Sequence, residues 1–187
     1  VFGLEEVIEF GQKQFDSLHD GDTIHPDIHK SVLQIGALIG DSETFDWLRQ
    51  SFDSTPSEHD RLNILSALGW FTEISVLHQA LQYTLDGVPQ KNKFIPIVAA
   101  AANPNVTDYL WTWYTDHIDE LETFHPLLYE RVIAAVIPSA GTDQVDPIKH
   151  FFKKYIKKLP QTGDVIRLAL EQLEINIRMK HNQLVSD

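Results

Sequence analysis

The sequence predicts an all-α fold, and three observations carry that reading. Apolar residues recur at spacings of three and four along most of the chain, as in Leu62, Leu65, Leu68 and again Ile74, Leu77, Leu81, Leu85. The segments that carry this spacing come in pairs joined by a few residues, and the pairs repeat. No stretch alternates apolar and polar residues as a half-buried strand would, and no Asn-Gly hairpin signal occurs. The architecture expected from these pairs is a superhelical stack of antiparallel helix pairs, an armadillo- or HEAT-like solenoid, forming one helical-repeat domain over residues 1–187.

Each element has its own local grounds. Leu4, Val7, Ile8 and Phe15 already stand at helical spacing, so the chain is expected to begin inside or just before a helix and to be a piece of something longer. A polar turn from Leu18 to Pro26 follows. Ile28, Val32, Ile35 and Ile39 then predict a helix ending at Gly40-Asp41, with Phe45, Leu48 and Phe52 on its partner. Thr55-Pro56-x-Glu58 reads as a capping box with Pro at the first helical position, and Gly69, lacking a Cβ, as the end of that helix. Trp70-Phe71-Thr72 is a connection too short for anything but an antiparallel partner, which stops at Asp86-Gly87. Phe94 to Ala102 forms the next helix. Asn103-Pro104 caps and opens its partner, which carries Leu110, Trp111 and Tyr114. Leu127 to Ile137 is followed by a break at Pro138-Ser139-Ala140-Gly141. Asp146-Pro147 starts a helix with Ile148, Phe151, Phe152, Tyr155 and Leu159 inward. After a break at Pro160–Gly163, a last helix of about 17 residues buries Ile166, Leu170, Leu173 and Ile177. First helices thus begin near Asp27, Ser57, Gln90 and Pro126, a period of roughly 30 to 35 residues.

Composition narrows the partners. A chain of 187 residues, 43% hydrophobic, can bury roughly 70% of its unfolded surface. With 15 Lys and Arg against 27 Asp and Glu, the formal charge of -12 repels phosphate backbones and anionic lipid, so neither nucleic acid nor membrane is an expected partner. No apolar run reaches the roughly 18 residues of a membrane helix, and no basic-then-apolar leader opens the chain. The absence of cysteine removes disulfide and thiolate chemistry and fits a reducing, cytoplasmic setting. Asn105-Val106-Thr107 spells a glycosylation sequon but reads as a helix start.

Chemistry-bearing patterns are few. There is no H-E-x-x-H pair, phosphate-binding glycine loop or nucleophile elbow. His25 and His29 have one-turn separation, but Pro26-Asp27 marks a helix start, which makes His25 a cap residue rather than a ligand. His19, His59, His78, His117, His150 and His181 are scattered among polar neighbours. Lys149, Lys153 and Lys157, with Lys154 and Lys158, make a basic helix face; it is a solvated face or, on the sharper reading, a dock for an acidic partner or a peptide carboxylate. Asp116, Asp119, Glu120 and Glu122 surround a helix end, and a paired-carboxylate site would need them drawn into a pocket.

In order, the helix ending Leu65-Ser66-Ala67-Leu68-Gly69, Leu81 to Asp86-Gly87-Val88, Asn103-Pro104 followed by Trp111, and Leu170-Glu171-Gln172-Leu173-Glu174-Ile175-Asn176-Ile177 resemble the C-terminal helical domain of zinc aminopeptidases. That group includes the puromycin-sensitive, endoplasmic-reticulum and tricorn-interacting-factor enzymes. The resemblance spans about Asp27 to Asn182 and implies a superhelical stack of helical hairpins. It further implies that the zinc ligands, catalytic glutamate and G-x-M-E-N loop lie in an upstream domain of the same polypeptide, that zinc is bound there and not in this chain, and that this domain covers the active-site cleft and limits which peptides enter. The chain departs from the pattern at Pro89-Gln90-Lys91-Asn92 and at Ala102, where relatives often have an arginine before Asn-Pro, so no substrate-binding residue is carried over. Capping accounts for Asn103-Pro104 by itself, core filling for Trp111, and an amphipathic helix for Leu170 to Ile177. Any acting surface is expected on the concave face of the stack.

The expected function is therefore that of a non-catalytic C-terminal domain, with no catalytic or metal-binding residue of its own, whose missing upstream part removes N-terminal amino acids from peptides. The alternative is a free-standing helical-repeat scaffold that binds another protein.

Overall fold

The computed structural model describes residues 4–140, 145–158 and 160–186, without the side chains of 158, 160 and 183–186. Eleven helices and no strand occur among the described residues, so the all-α expectation holds. The chain divides into two compact units, 1–100 and 101–187.

In the first unit, α1 (Leu4–His19), α2 (Pro26–Ile39), α3 (Ser42–Ser54), α4 (Glu58–Leu68) and α5 (Ile74–Asp86) precede most of α6 (Phe94–Ala101). The central element is α4, in which Asn63 through Leu68 are buried without interruption. Two-sided burial explains why its outer Leu62 stays 37% exposed while the helix is still a core element. Its most extensive partner is α2, with α3 and α5 also packed on it. Polar ties accompany the α2–α4 seam: His29 Nδ1 lies 3.2 Å from Asp60 Oδ1, and Gln34 Nε2 donates to Ser66 Oγ at 3.1 Å. α1 interlocks with α2 because each presents a glycine to the other's bulk, Gly11 beneath Ile35 and Gly36 beneath the Phe15 ring.

One local expectation is corrected here. Thr55 does not cap α4. It ends α3 instead, its amide donating to Ser51 O at 3.0 Å, while Ser57 caps α4 by accepting from Asp60 N at 3.2 Å. A serine followed by two first-turn acids satisfies the helix start unaided, and Glu58 is free to pair with Lys91 at 3.0 Å. That hydrogen bond and charge hold the Glu58 carboxyl below its usual range. Gly69 ends α4 as expected, and does so at φ -82°, an ordinary right-handed value.

Tyr83 on α5 donates to Asp53 Oδ1 on α3 at 3.4 Å, and partial burial, then the Asp53 charge and hydrogen bond, push its phenol up to about 12. A raised folded pKa favours the neutral form. Its contribution to stability is complete below the ordinary phenol value near 10 and is lost as pH rises from about 10 through about 12. Difference titration of phenolate absorbance between the native chain and Tyr83→Phe isolates this group; Asp53→Asn should bring its transition down toward 10. An unmoved transition would assign the shift to burial alone.

In the second unit, α7 (Thr107–Asp116), the short α8 (Ile118–Leu121), α9 (Pro126–Ser139), α10 (Val145–Lys158) and α11 (Gly163–Ser186) follow one another. α9 is packed on α7 and α11, and α11 also on α10. Trp111 fills the core as expected, 6% exposed, against Tyr114, Phe151 and Phe152 at centroid distances of 5.8, 5.7 and 5.9 Å.

Three boundaries differ from expectation. α7 begins at Thr107, and Asn103 instead shapes the preceding turn, its Oδ1 accepting from Asn105 N at 3.1 Å. α9 runs through Pro138 to Ser139; a proline in the last turn forfeits one helical hydrogen bond without needing the helix to stop. α11 is 24 residues long rather than about 17; within it, Asn176 Nδ2 donates to Pro138 O at 3.0 Å and ties the helix to the end of α9. The expected break residue Gly141 and the expected core residue Leu159 lie outside the described residues. His25 and His125, each preceding a proline, cap α2 and α9 alike, their Nδ1 atoms accepting from Asp27 N and Leu127 N at 3.3 Å.

Candidate functional site

The second unit carries the most organised chemistry, a run of hydroxyls inside the aromatic core. Tyr114 of α7, Tyr129 of α9 and Tyr155 of α10 are 0%, 3% and 6% exposed. Their hydroxyls stand 3.0 Å (Tyr114 to Tyr129) and 2.6 Å (Tyr129 to Tyr155) apart. Tyr155 in turn donates to Glu122 Oε1 at 2.8 Å. A phenol has one proton to give. Tyr155 spends its proton on Glu122 and must accept from Tyr129, which must accept from Tyr114, so all three O–H bonds point toward the carboxylate. Burial, followed by the neighbouring hydroxyls and Glu122, pushes the Tyr155 and Tyr114 phenols far above the ordinary range. The chain cannot supply a phenolate base near neutral pH. It joins α7, α9 and α10 by short polar bonds inside an apolar cluster.

Beside it, Pro147, His150, Phe151, Lys154 and Tyr155 line a shallow pocket of about 500 Å³ on α10. The basic face expected on this helix is partly engaged: Lys149 pairs with Glu174 of α11, and its hydrogen bond and charge hold the Glu174 carboxyl below the usual range. Lys153, Lys154 and Lys157 are exposed and make no ion pair among the described residues.

A second hollow of about 370 Å³ lies where α9 ends. It is lined by Ala101, Ala102, Pro104, Ala140, Ile177 and Lys180, among others. Pro104, Asn176 and Ile177, from two of the short patterns read in the sequence, all line it. The remaining candidates do not form a site. His25 is a cap and His29 is paired with Asp60. Of the acidic cluster, Glu122 turns inward to Tyr155. Among the described residues there is no group of three or more His, Cys, Asp or Glu able to hold a metal ion, so these side chains do not fit a zinc centre. No described helix is long and apolar enough to cross a membrane.

The tyrosine chain escaped the sequence because its members are 15, 26 and 33 residues apart. Tyr114 and Tyr155 were visible only as members of apolar stripes.

Comparison with known proteins agrees with the motif reading. The chain is 26% identical over 174 residues to Aminopeptidase 2 of Candida albicans, covering 86% of this chain and 19% of that protein. It is 25% identical over 200 residues to the puromycin-sensitive aminopeptidase of Caenorhabditis elegans, covering 95% and 21%. Against the alanine/arginine aminopeptidase of Saccharomyces cerevisiae it is 23% identical over 177 residues, covering 88% and 21%. The chain thus spans about a fifth of the length of the relatives it matches. Residues 1–175 match the family described as the ERAP1-like C-terminal domain. With the match running through nearly all of both units, the chain belongs to the family of ERAP1-like C-terminal domains.

Proposed function

We propose that this chain is the non-catalytic C-terminal domain of a cytoplasmic zinc aminopeptidase, built as one superhelical stack, and that it covers the active-site cleft and restricts which peptides enter. The upstream part of the same polypeptide holds the zinc and removes N-terminal amino acids. The observation that carries this reading is the family match over residues 1–175 together with relatives named as aminopeptidases that extend about five times the chain's length. The all-helical fold of the described residues supports it, since helical repeats present extended surfaces suited to covering a cleft. The site chemistry supports it as well: the buried phenols are held neutral and stiffen the unit instead of reacting.

The test has two arms. The purified 187-residue chain, with and without added zinc, should release no amino acid from aminoacyl amides. The parent enzyme, compared with a form whose C-terminal domain is deleted, should lose discrimination between short and long peptides while still cleaving a single aminoacyl amide. Turnover by the isolated chain that follows the protein through purification and depends on zinc would overturn the non-catalytic assignment. An unchanged length preference in the deleted parent would overturn the gating role.

A further inference from the structure

Helix α1 carries an apolar arc wider than its neighbours cover. From Phe10 through Val7, Leu4 and Phe15 to Ile8 the arc sweeps roughly 160° around the helix. Gln14 is the one polar residue inside it, and every charged residue of α1 lies outside. The flank with Gly11 and Phe15 is buried, against α2 and the Trp47 ring of α3. The other flank is bare: Leu4, Val7 and Phe10 are 76%, 47% and 55% exposed. Helix α3 shows how such an arc is filled elsewhere in the unit. Ser42, Ile74 and Thr107 start α3, α5 and α7 at intervals of 32 and 33 residues, and Leu4 starts α1 38 residues before Ser42. α1 therefore stands where the second helix of a pair belongs. α3 packs on the helix before it, α2, as well as on the helix after it, α4, and buries Phe45, Leu48 and Phe52. α1 has the helix after it and an uncovered apolar flank.

We propose that the flank of Leu4, Val7 and Phe10 receives a helix from the polypeptide directly upstream of Val1, the first member of an earlier helix pair. Three observations favour that occupant over a second copy. The relatives extend about five times the length of this chain, and in a family described as a C-terminal domain the additional length stands mainly ahead of it. One repeat of roughly 30 to 35 residues before Asp27 begins ahead of Val1. A helix joined to Leu4 by a short connection is also held beside α1 at an effective concentration on the order of millimolar, which a second copy in dilute solution does not reach. The inference rests on reading the chain as the C-terminal part of a longer polypeptide and is independent of the gating role.

The 187 residues contain no cysteine, so Phe10→Cys sets one thiol on the bare flank and Lys13→Cys one on the polar side of α1. In the 187-residue chain both should react readily with a thiol reagent. In the full-length parent the thiol at position 10 should react roughly tenfold or more slower, while the one at position 13 keeps its rate. Peptide mapping reads the two positions apart from any cysteine elsewhere in the parent. A photoactivatable reagent attached at position 10 of the parent should cross-link within roughly 35 residues ahead of Val1. Equal reactivity at position 10 in the two forms overturns the proposal, and so does a cross-link to a more distant segment. Protection that grows with the concentration of the 187-residue chain gives the flank to a second copy and overturns it too. A source gene with no coding sequence ahead of Val1 would overturn both this proposal and the longer-polypeptide reading. The parent's discrimination between short and long peptides is a separate readout, so the gating role can fail while this proposal stands.

Discussion

Gly69→Ala is expected to destabilise the chain by about 3 kcal/mol, although one methyl group is all it adds. The conformation is not the obstacle, since φ -82° and ψ -4° suit alanine. The obstacle is backbone: a Cβ at this position would run into the Ala100 amide nitrogen and lie 2.5 Å from Pro96 O and 2.7 Å from the Ala99 carbonyl carbon. Flexible side chains can step aside from such an intrusion, but a helix backbone has to translate as a body. α6 would be pushed from the end of α4, loosening the packing of Leu68 and Ile97, both 0% exposed. Gly21→Ala is the informative control, because Gly21 has φ 96° and nothing within 4 Å of a new Cβ. Its cost is only conformational, about 1 kcal/mol. Chemical denaturation of the two variants beside the native chain should rank them in that order. Equal losses would mean that α6 adjusts freely and that the close approach carries no energy.

Tyr155→Phe should cost about 2 kcal/mol, nearly all of it from hydrogen bonds, because the ring, its stacking on Phe151 and its edge contact with Phe152 are retained. Removing the hydroxyl takes one donor from Glu122 and breaks the 2.6 Å bond to Tyr129 in a site 3% exposed to water. Tyr114→Phe, at the far end of the chain, removes a donor without stranding a carboxylate and should cost about 1 kcal/mol. The double variant should cost less than the sum of the two, since both act on one polarised run of hydroxyls. Strict additivity in the double-mutant cycle would show the three phenols to be independent neighbours rather than a connected chain.

The extent of what can be read directly from the residues differs by level. Three-and-four spacing determined the helical class and the location of nearly every helix, because burying an amphipathic stripe is a local periodic requirement. The order of short motifs likewise identified the family before any packing was known. Helix ends were less legible, and for a physical reason: Thr55, Ser57 and Asp60 offer competing caps within six residues, and the winner depends on where α3 stops and on what Glu58 finds across the fold. Gly69 could be read as a helix end, but the close backbone approach that also demands a glycine there could not, since those atoms belong to a helix about thirty residues away.

Tertiary structure alone decided the rest. Leu62, Leu168, Ile175 and Met179 are as apolar as their buried neighbours, and only the placement of adjoining helices determined which would face water. The hydroxyl chain from Tyr114 to Glu122 exists because three helices bring separated phenols within 3.0 Å of one another. Periodicity is a property of consecutive residues and so is written in the chain. Proximity between distant residues, on which every polar network and surface here depends, is created only when the helices pack.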